Sequence, residues 1–245
     1  MPRIFFESDD VLALDKPSGL IVHSDGRTVE PSVAEWLLER YPALAGVGEP
    51  WISPQGERVL TAGIVHRLDR STSGVLVVAK TATMHAYLKQ QFKERRVEKI
   101  YLAYVYGHME EGEGTIVAQI VRTSAAPRCW AAHPAEKHDK RAAITQWRVS
   151  DRLKDPATGE RVSLLEVKPE TGRTHQIRVH LASIGHPIIA DHLYAGDRTP
   201  LLVFRRPALH AASISFVLPV VGRRTFFAPL PEDFQQAGTL LNSNI

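Results

Sequence analysis

The pattern that most constrains this chain is a succession of strand-length apolar runs over residues 99–106, 115–121, 142–149 and 162–167, joined mostly by connections of hairpin length. Parallel neighbours would need crossovers of about a dozen residues or more, usually helical. Strand patterns outnumber helical ones here, which predicts an α+β fold built on a large, mostly antiparallel sheet flanked by helices. Ile4-Phe5-Phe6 and the run Val11-Leu12-Ala13-Leu14 flank Ser8-Asp9-Asp10 and read as a further hairpin with a polar turn.

Helical spacing occurs in three places. Pro31 opens a helix in which Val33, Trp36, Leu37 and Arg40 recur at helical intervals. After the run Val75-Leu76-Val77-Val78-Ala79, a second helix lines up Met84, Leu88 and Phe92 on one stripe and Lys89, Lys93 and Arg96 on another. A third is expected from near Thr174 to Ile184, stopped by Gly185 and Pro187. Residues 42–62 are rich in Gly and Pro and read as an irregular loop, and residues 201–227 read as strand broken by Pro and Gly. With no repeat or linker in view, residues 1–231 are expected to form one domain and 232–245 a tail.

A chain of 245 residues can bury a substantial core. Its net charge is only +3, but arginines outnumber lysines roughly two to one, and arginine suits bidentate phosphate contacts and stacking on bases. The single cysteine, Cys129, excludes an internal disulfide framework and fits a reducing cytosol. Acidic residues Glu7, Asp9 and Asp10 stand where a secretory segment would need an apolar core, and no apolar run approaches the roughly 20 residues of a membrane span. A cytoplasmic protein is expected.

The most informative chemistry lies in His66-Arg67-Leu68-Asp69-Arg70-Ser71-Thr72-Ser73-Gly74. One carboxylate stands between two arginines in a turn, just ahead of a buried-looking strand. The flanking positive charge favours the ionised carboxylate, which suits a nucleophile or late proton acceptor better than a general acid. Tyr101 shares a strand face with Ala103 and Val105, the position of either a core aromatic or a ring at the edge of a cleft. In Glu170-Thr171-Gly172-Arg173-Thr174-His175-Gln176-Ile177-Arg178, the arginines lie near an expected helix start, where free N–H groups favour anions. Leu209-His210-Ala211 is a polar break in an apolar strand.

Together these segments resemble the RluA-type pseudouridine synthases, which modify ribosomal and transfer RNA. The stretch from His66 to Gly74 fits that family's catalytic motif, and Lys99-x-Tyr101, the segment Thr171 to Arg178 and Leu209-His210-Ala211 match later motifs in order. Asp15-Lys16-Pro17-Ser18-Gly19-Leu20 is similar to the family's entry to its catalytic domain. The resemblance spans about residues 4–231 and implies the pseudouridine synthase fold with a central catalytic cleft. Many members of that family carry an extra N-terminal S4-type RNA-binding domain, and this chain is expected to depart from them in lacking it, so substrate selection would rest on this domain or a partner.

By that resemblance, Asp69 is the catalytic carboxylate in turning a uridine into its C-glycoside isomer, by attack at C1′ or removal of the C2′ proton. Arg173 would pair with Asp69, and Tyr101 would stack on the displaced base. A base must leave its stack for such chemistry, at a cost of a few kcal/mol. Arg67 would fill the vacated space, with Arg70, Lys89, Lys93, Arg96 and Arg178 on the RNA and the run Lys137-His138-Asp139-Lys140-Arg141 as a further basic segment. His66, Leu68, Thr72, Ile177 and Leu209 would line the substrate pocket. The implied partner is an rRNA or tRNA stem-loop bound by a monomer, with no cofactor and no metal.

Other readings are weaker. A kinase loop is excluded by the place of the Asp and the lack of a glycine-rich loop or Asp-Phe-Gly. His175 and His180 are five apart and no His-Glu-x-x-His occurs, which argues against a metal hydrolase. The alternative from another class is a non-catalytic RNA-binding or ribosome-assembly factor of the same fold, which would be expected to lack Asp69, Tyr101 or Arg173.

Overall fold

The computed structural model describes residues 1–24, 30–53, 56, 58–123, 129–136, 139 and 141–242. Among the described residues twelve strands occur: β1 Arg3–Glu7, β2 Val11–Lys16, β3 Trp51–Ile52, β4 Arg58–Val59, β5 Ser73–Ala79, β6 Glu98–Tyr106, β7 Glu113–Arg122, β8 Trp130–Pro134, β9 Ala142–Lys154, β10 Arg161–Pro169, β11 Leu209–Leu218 and β12 Gly222–Phe227. Four α-helices accompany them: α1 Val33–Arg40, α2 Ala82–Lys93, α3 Gln176–Ser183 and α4 Glu232–Asn242. The α+β class is as expected. Within it the chain forms two compact units.

The first unit holds residues 1–98 and 213–229. The β1–β2 hairpin forms as its polar turn predicts, with Ser8 Oγ accepting the Val11 N–H. β2 pairs antiparallel with β5, whose seven residues are all buried, so this strand is apolar on both faces. Helix α1 opens with a reciprocal capping box between Ser32 and Glu35. In α2, Met84 and Leu88 enter the core as their spacing predicts. Gln91 follows them, and its amide exchanges two hydrogen bonds, of 2.8 and 2.9 Å, with the backbone of Val217 in β11. This side chain closes a strand edge in the manner of a further backbone residue.

The second unit holds residues 99–212 and 230–245. Here β6, β10, β9, β7 and β8 neighbour one another in that order, and each of these pairings is antiparallel. Its core gathers Tyr104, Tyr106, Trp147, Leu165, Leu181, Phe204 and Phe234. β8 escapes the sequence pattern because its Ala-Ala-His-Pro stretch lacks an alternating apolar face, and residues 201–208 form no strand.

The expected tail is helix α4, which packs Phe234, Ala237 and Leu241 into the core. Its acidic first turn, Glu232 and Asp233, suits the positive end of the helix, and Arg206 binds Asp233 at 2.8 Å. The apolar stripe has only three members, too short a signal to separate from an irregular end. Phe234→Ala should therefore cost about 3–5 kcal/mol in urea unfolding, by cavity formation. A loss below about 1 kcal/mol would return the segment to the status of a tail.

Candidate active site

In the first unit, the segment leading to Asp69 is placed by a close backbone approach. Gly63 donates to the Val47 carbonyl, and its own carbonyl accepts the Ala79 N–H at 2.9 Å. A Cβ on Gly63 would lie 2.0 Å from the Ala79 carbonyl oxygen, so only glycine fits there, at φ +71°. His66 then turns back onto β5, its Nε2 accepting the Val77 N–H at 3.0 Å while its ring stacks on Phe92. His66 is thus a structural fixture of this loop.

The loop after Asp69 is held by the opening Lys-Pro-Ser-Gly segment. Lys16 is completely buried, and its ammonium donates to the carbonyls of Pro17, Leu20 and Arg70 at 2.9, 2.8 and 3.2 Å. Gly19 N–H also donates to the Arg70 carbonyl, Ser18 Oγ to the Ser71 carbonyl, and Thr72 N–H to the Asp69 carbonyl. Leu68 and Thr72 are buried on either side of Asp69, which is half-buried itself, while Arg67 is exposed. The two expected lining residues therefore anchor the turn, and Asp69 and Arg67 are the side chains left towards the surface. Arg70 extends to Glu30, at 2.6 Å.

In the second unit, residues 170–175 arch from the end of β10 to α3. Glu170 N–H donates to the Ile144 carbonyl, and Thr171 Oγ1 accepts the Ile144 N–H, so the β9–β10 pairing continues through a side chain. Gln176, buried at the head of α3, uses both ends of its amide. Its Oε1 accepts the Thr171 hydroxyl at 2.7 Å and the Arg173 N–H at 3.0 Å, and its Nε2 donates to the Ile144 carbonyl and Thr145 Oγ1. His175 adopts a left-handed conformation, φ 54°, and its Nδ1 meets Tyr194 Oη at 2.7 Å. Arg173 stands exposed on this arch, and half-buried Tyr101 lies on β6 two residues after Lys99, whose Nζ donates to the Thr171 carbonyl at 3.3 Å. The strand of Tyr101 and the arch of Arg173 are therefore directly joined.

Several expected contacts lie elsewhere. Arg178 is only 4% exposed and binds Asp191 through two 2.7 Å hydrogen bonds beneath the Tyr194 ring. A guanidinium so enclosed holds α3 in place and does not reach an RNA phosphate. Ile177 and Leu209 are buried in the second unit's core. Lys89 and Lys93 are exposed on α2, as expected, and Arg96 pairs with Glu94 at 2.6 Å. Of the basic run 137–141, only Asp139 and Arg141 fall within the described residues, and Arg141 is exposed. Among the described residues no group of three or more His, Cys, Asp or Glu side chains could hold a metal, and no helix is long and apolar enough to cross a membrane.

Behind the arch, His180 is fully buried with Nδ1 2.9 Å from Thr145 Oγ1, and burial pushes its pKa down to about 4. The unfolded chain takes up this proton near its ordinary pKa of about 6.5, so stability is complete above that value and declines as pH falls towards about 4. His180→Gln should lose about 2–3 kcal/mol less than the wild type between pH 7 and 4.5 in urea titrations. Equal acid losses would mean that His180 is not held neutral.

A family model described as RNA pseudouridylate synthase matches residues 10–183. The ribosomal large subunit pseudouridine synthase D of Xanthomonas campestris is 38% identical over 99% of this chain and 70% of its own length. The protein of the same name from Zymomonas mobilis is 37% identical over 95% of this chain and 70% of its own. Among solved structures, human RNA pseudouridylate synthase domain containing 1 superposes with a TM-score of 0.65 at 26% identity, covering 98% of this chain and 94% of that one.

Proposed function

Given that the chain belongs to the RNA pseudouridylate synthase family and is an RNA pseudouridine synthase, we propose that Asp69, Tyr101 and Arg173 are its catalytic residues and that its substrate is a uridine of ribosomal large subunit RNA. The observation that carries the catalytic assignment is the bracing of the Asp69 turn, where a buried ammonium and two backbone N–H groups fix the main chain while the carboxylate stays half-buried. A carboxylate on a braced turn loses little entropy on meeting its target, and positioning of this kind lowers a barrier by several kcal/mol. Several relatives named for the ribosomal large subunit support the choice of RNA.

The reaction breaks the N1–C1′ bond of uridine, turns the uracil, joins C5 to C1′ and removes the C5 proton. Asp69 reacts at the ribose, by attack on C1′ or by taking the C2′ proton. Tyr101 stacks on the detached base, and Arg173 supplies positive charge. Exposed Arg67, Lys89 and Lys93 meet the RNA, where phosphate contacts give affinity that falls with salt. The uracil is its own leaving group, so the same reading needs no metal and takes the chain as a cytoplasmic monomer.

Asp69→Asn should abolish isomerisation in single-turnover assays on large subunit RNA while RNA affinity stays within about threefold. Equal rates for the variant and the wild type would remove Asp69 from the mechanism. Tyr101→Phe separates ring from hydroxyl, since retained activity would limit the residue to stacking. EDTA should leave the wild-type rate unchanged, and a chelation-sensitive rate restored by a divalent ion would contradict the metal-free reading.

A further inference from the structure

Lys99 is a half-buried cation that the mechanism above leaves without a task. It precedes Tyr101 by two residues on β6, so the two side chains share a strand face. Among the described residues no carboxylate pairs with it, and its hydrogen bond is the 3.3 Å contact from Nζ to the Thr171 carbonyl. Burial alone pushes the ammonium down to about 8 from its ordinary 10.5. A fold gains little from such a group, because drawing a charge partly out of water without a counter-charge is costly and an apolar side chain of similar length would fill the same space. Groups that oppose stability in this way concentrate where function requires them.

The carbonyl that Lys99 holds belongs to the arch that carries Arg173. Gln176 grips the same arch from the other side, through the Thr171 hydroxyl and the Arg173 N–H. Thr171 thus has its hydroxyl fixed by Gln176 and its carbonyl fixed by Lys99, and Arg173 follows two residues later. With the Thr171 carbonyl released, the peptide before Gly172 can rotate, and glycine offers little resistance to such a change.

We infer that Lys99 is a positioning residue for the reaction, holding the Thr171 carbonyl so that the arch presents Arg173 in one orientation. The inference rests on the assignment of Arg173 to the catalytic set. Lys99 acts through the arch and not by contact with the uridine. Its isosteric replacement by Met keeps the packing and removes both the charge and the hydrogen bond.

A double-mutant cycle tests this, with Lys99→Met, Arg173→Lys and the double variant each measured for single-turnover rate, RNA affinity and thermal midpoint. Lys99→Met should slow isomerisation at least about tenfold, leave RNA affinity within about threefold and leave the thermal midpoint unchanged or raised. In the Arg173→Lys background the same substitution should have little further effect, because the guanidinium it positions is gone. An unchanged rate for Lys99→Met would overturn the inference, as would equal losses in both backgrounds or a loss matched by a fall in the thermal midpoint. If Arg173→Lys itself leaves the rate unaltered, the assignment of Arg173 fails instead. Should Lys99→Met unfold the chain, Lys99→Gln, which keeps an N–H donor, must recover the fold and part of the rate, and a folded but inert Lys99→Gln would contradict positioning through the carbonyl.

Discussion

A functional side chain on a loop needs a main chain that does not move, yet a loop has no ladder of backbone partners to hold it. In the first unit that constraint is met by the ammonium of Lys16, which gathers the carbonyls of Pro17, Leu20 and Arg70. Burying a cation is unfavourable, and three carbonyl acceptors offset that cost only in one geometry of the two segments they belong to. The turn that carries Asp69 and the Lys16–Leu20 segment therefore form together or not at all. The glycine at 63 and the ring of His66 extend the same bracing to the segment that enters the turn.

The second unit solves an equivalent problem by different means. Its arch lies at the end of a strand pair, and Gln176, Thr171 and Thr145 carry the hydrogen bonding past the last regular residues of β9 and β10. The Arg178–Asp191 pair anchors from within the helix that supplies Gln176. Breaking such a buried pair by removing one member is strongly destabilising, which makes α3 a dependable platform. In both units polar side chains hold backbone in place.

Much of this was legible in the sequence, for identifiable reasons. The β1–β2 hairpin, α1 and α2 rest on local turn chemistry, capping and periodicity, all of which lie within a few residues of one another. The motif around Asp69 was legible because its residue types are unusual in combination. Longer-range roles were not. Arg178 has the spacing of an exposed basic residue, and only the fold brings Asp191, thirteen positions on, against it. Gln91 and Lys99 pair with backbone at Val217 and Thr171, partners that no local pattern names. Helix α4 is not legible in the sequence, because three apolar residues make a weak stripe until Tyr104 and Phe204 supply the surface they cover.

We propose that this chain isomerises a uridine of ribosomal large subunit RNA. The most direct test is carbodiimide-based pseudouridine mapping of total RNA from cells that encode the protein, with and without the gene. The account predicts that at least one pseudouridine in large subunit RNA disappears on deletion and returns with the wild-type gene. An unchanged map across all ribosomal and transfer RNA would contradict it, and would favour an RNA-binding protein that has kept the fold without the reaction.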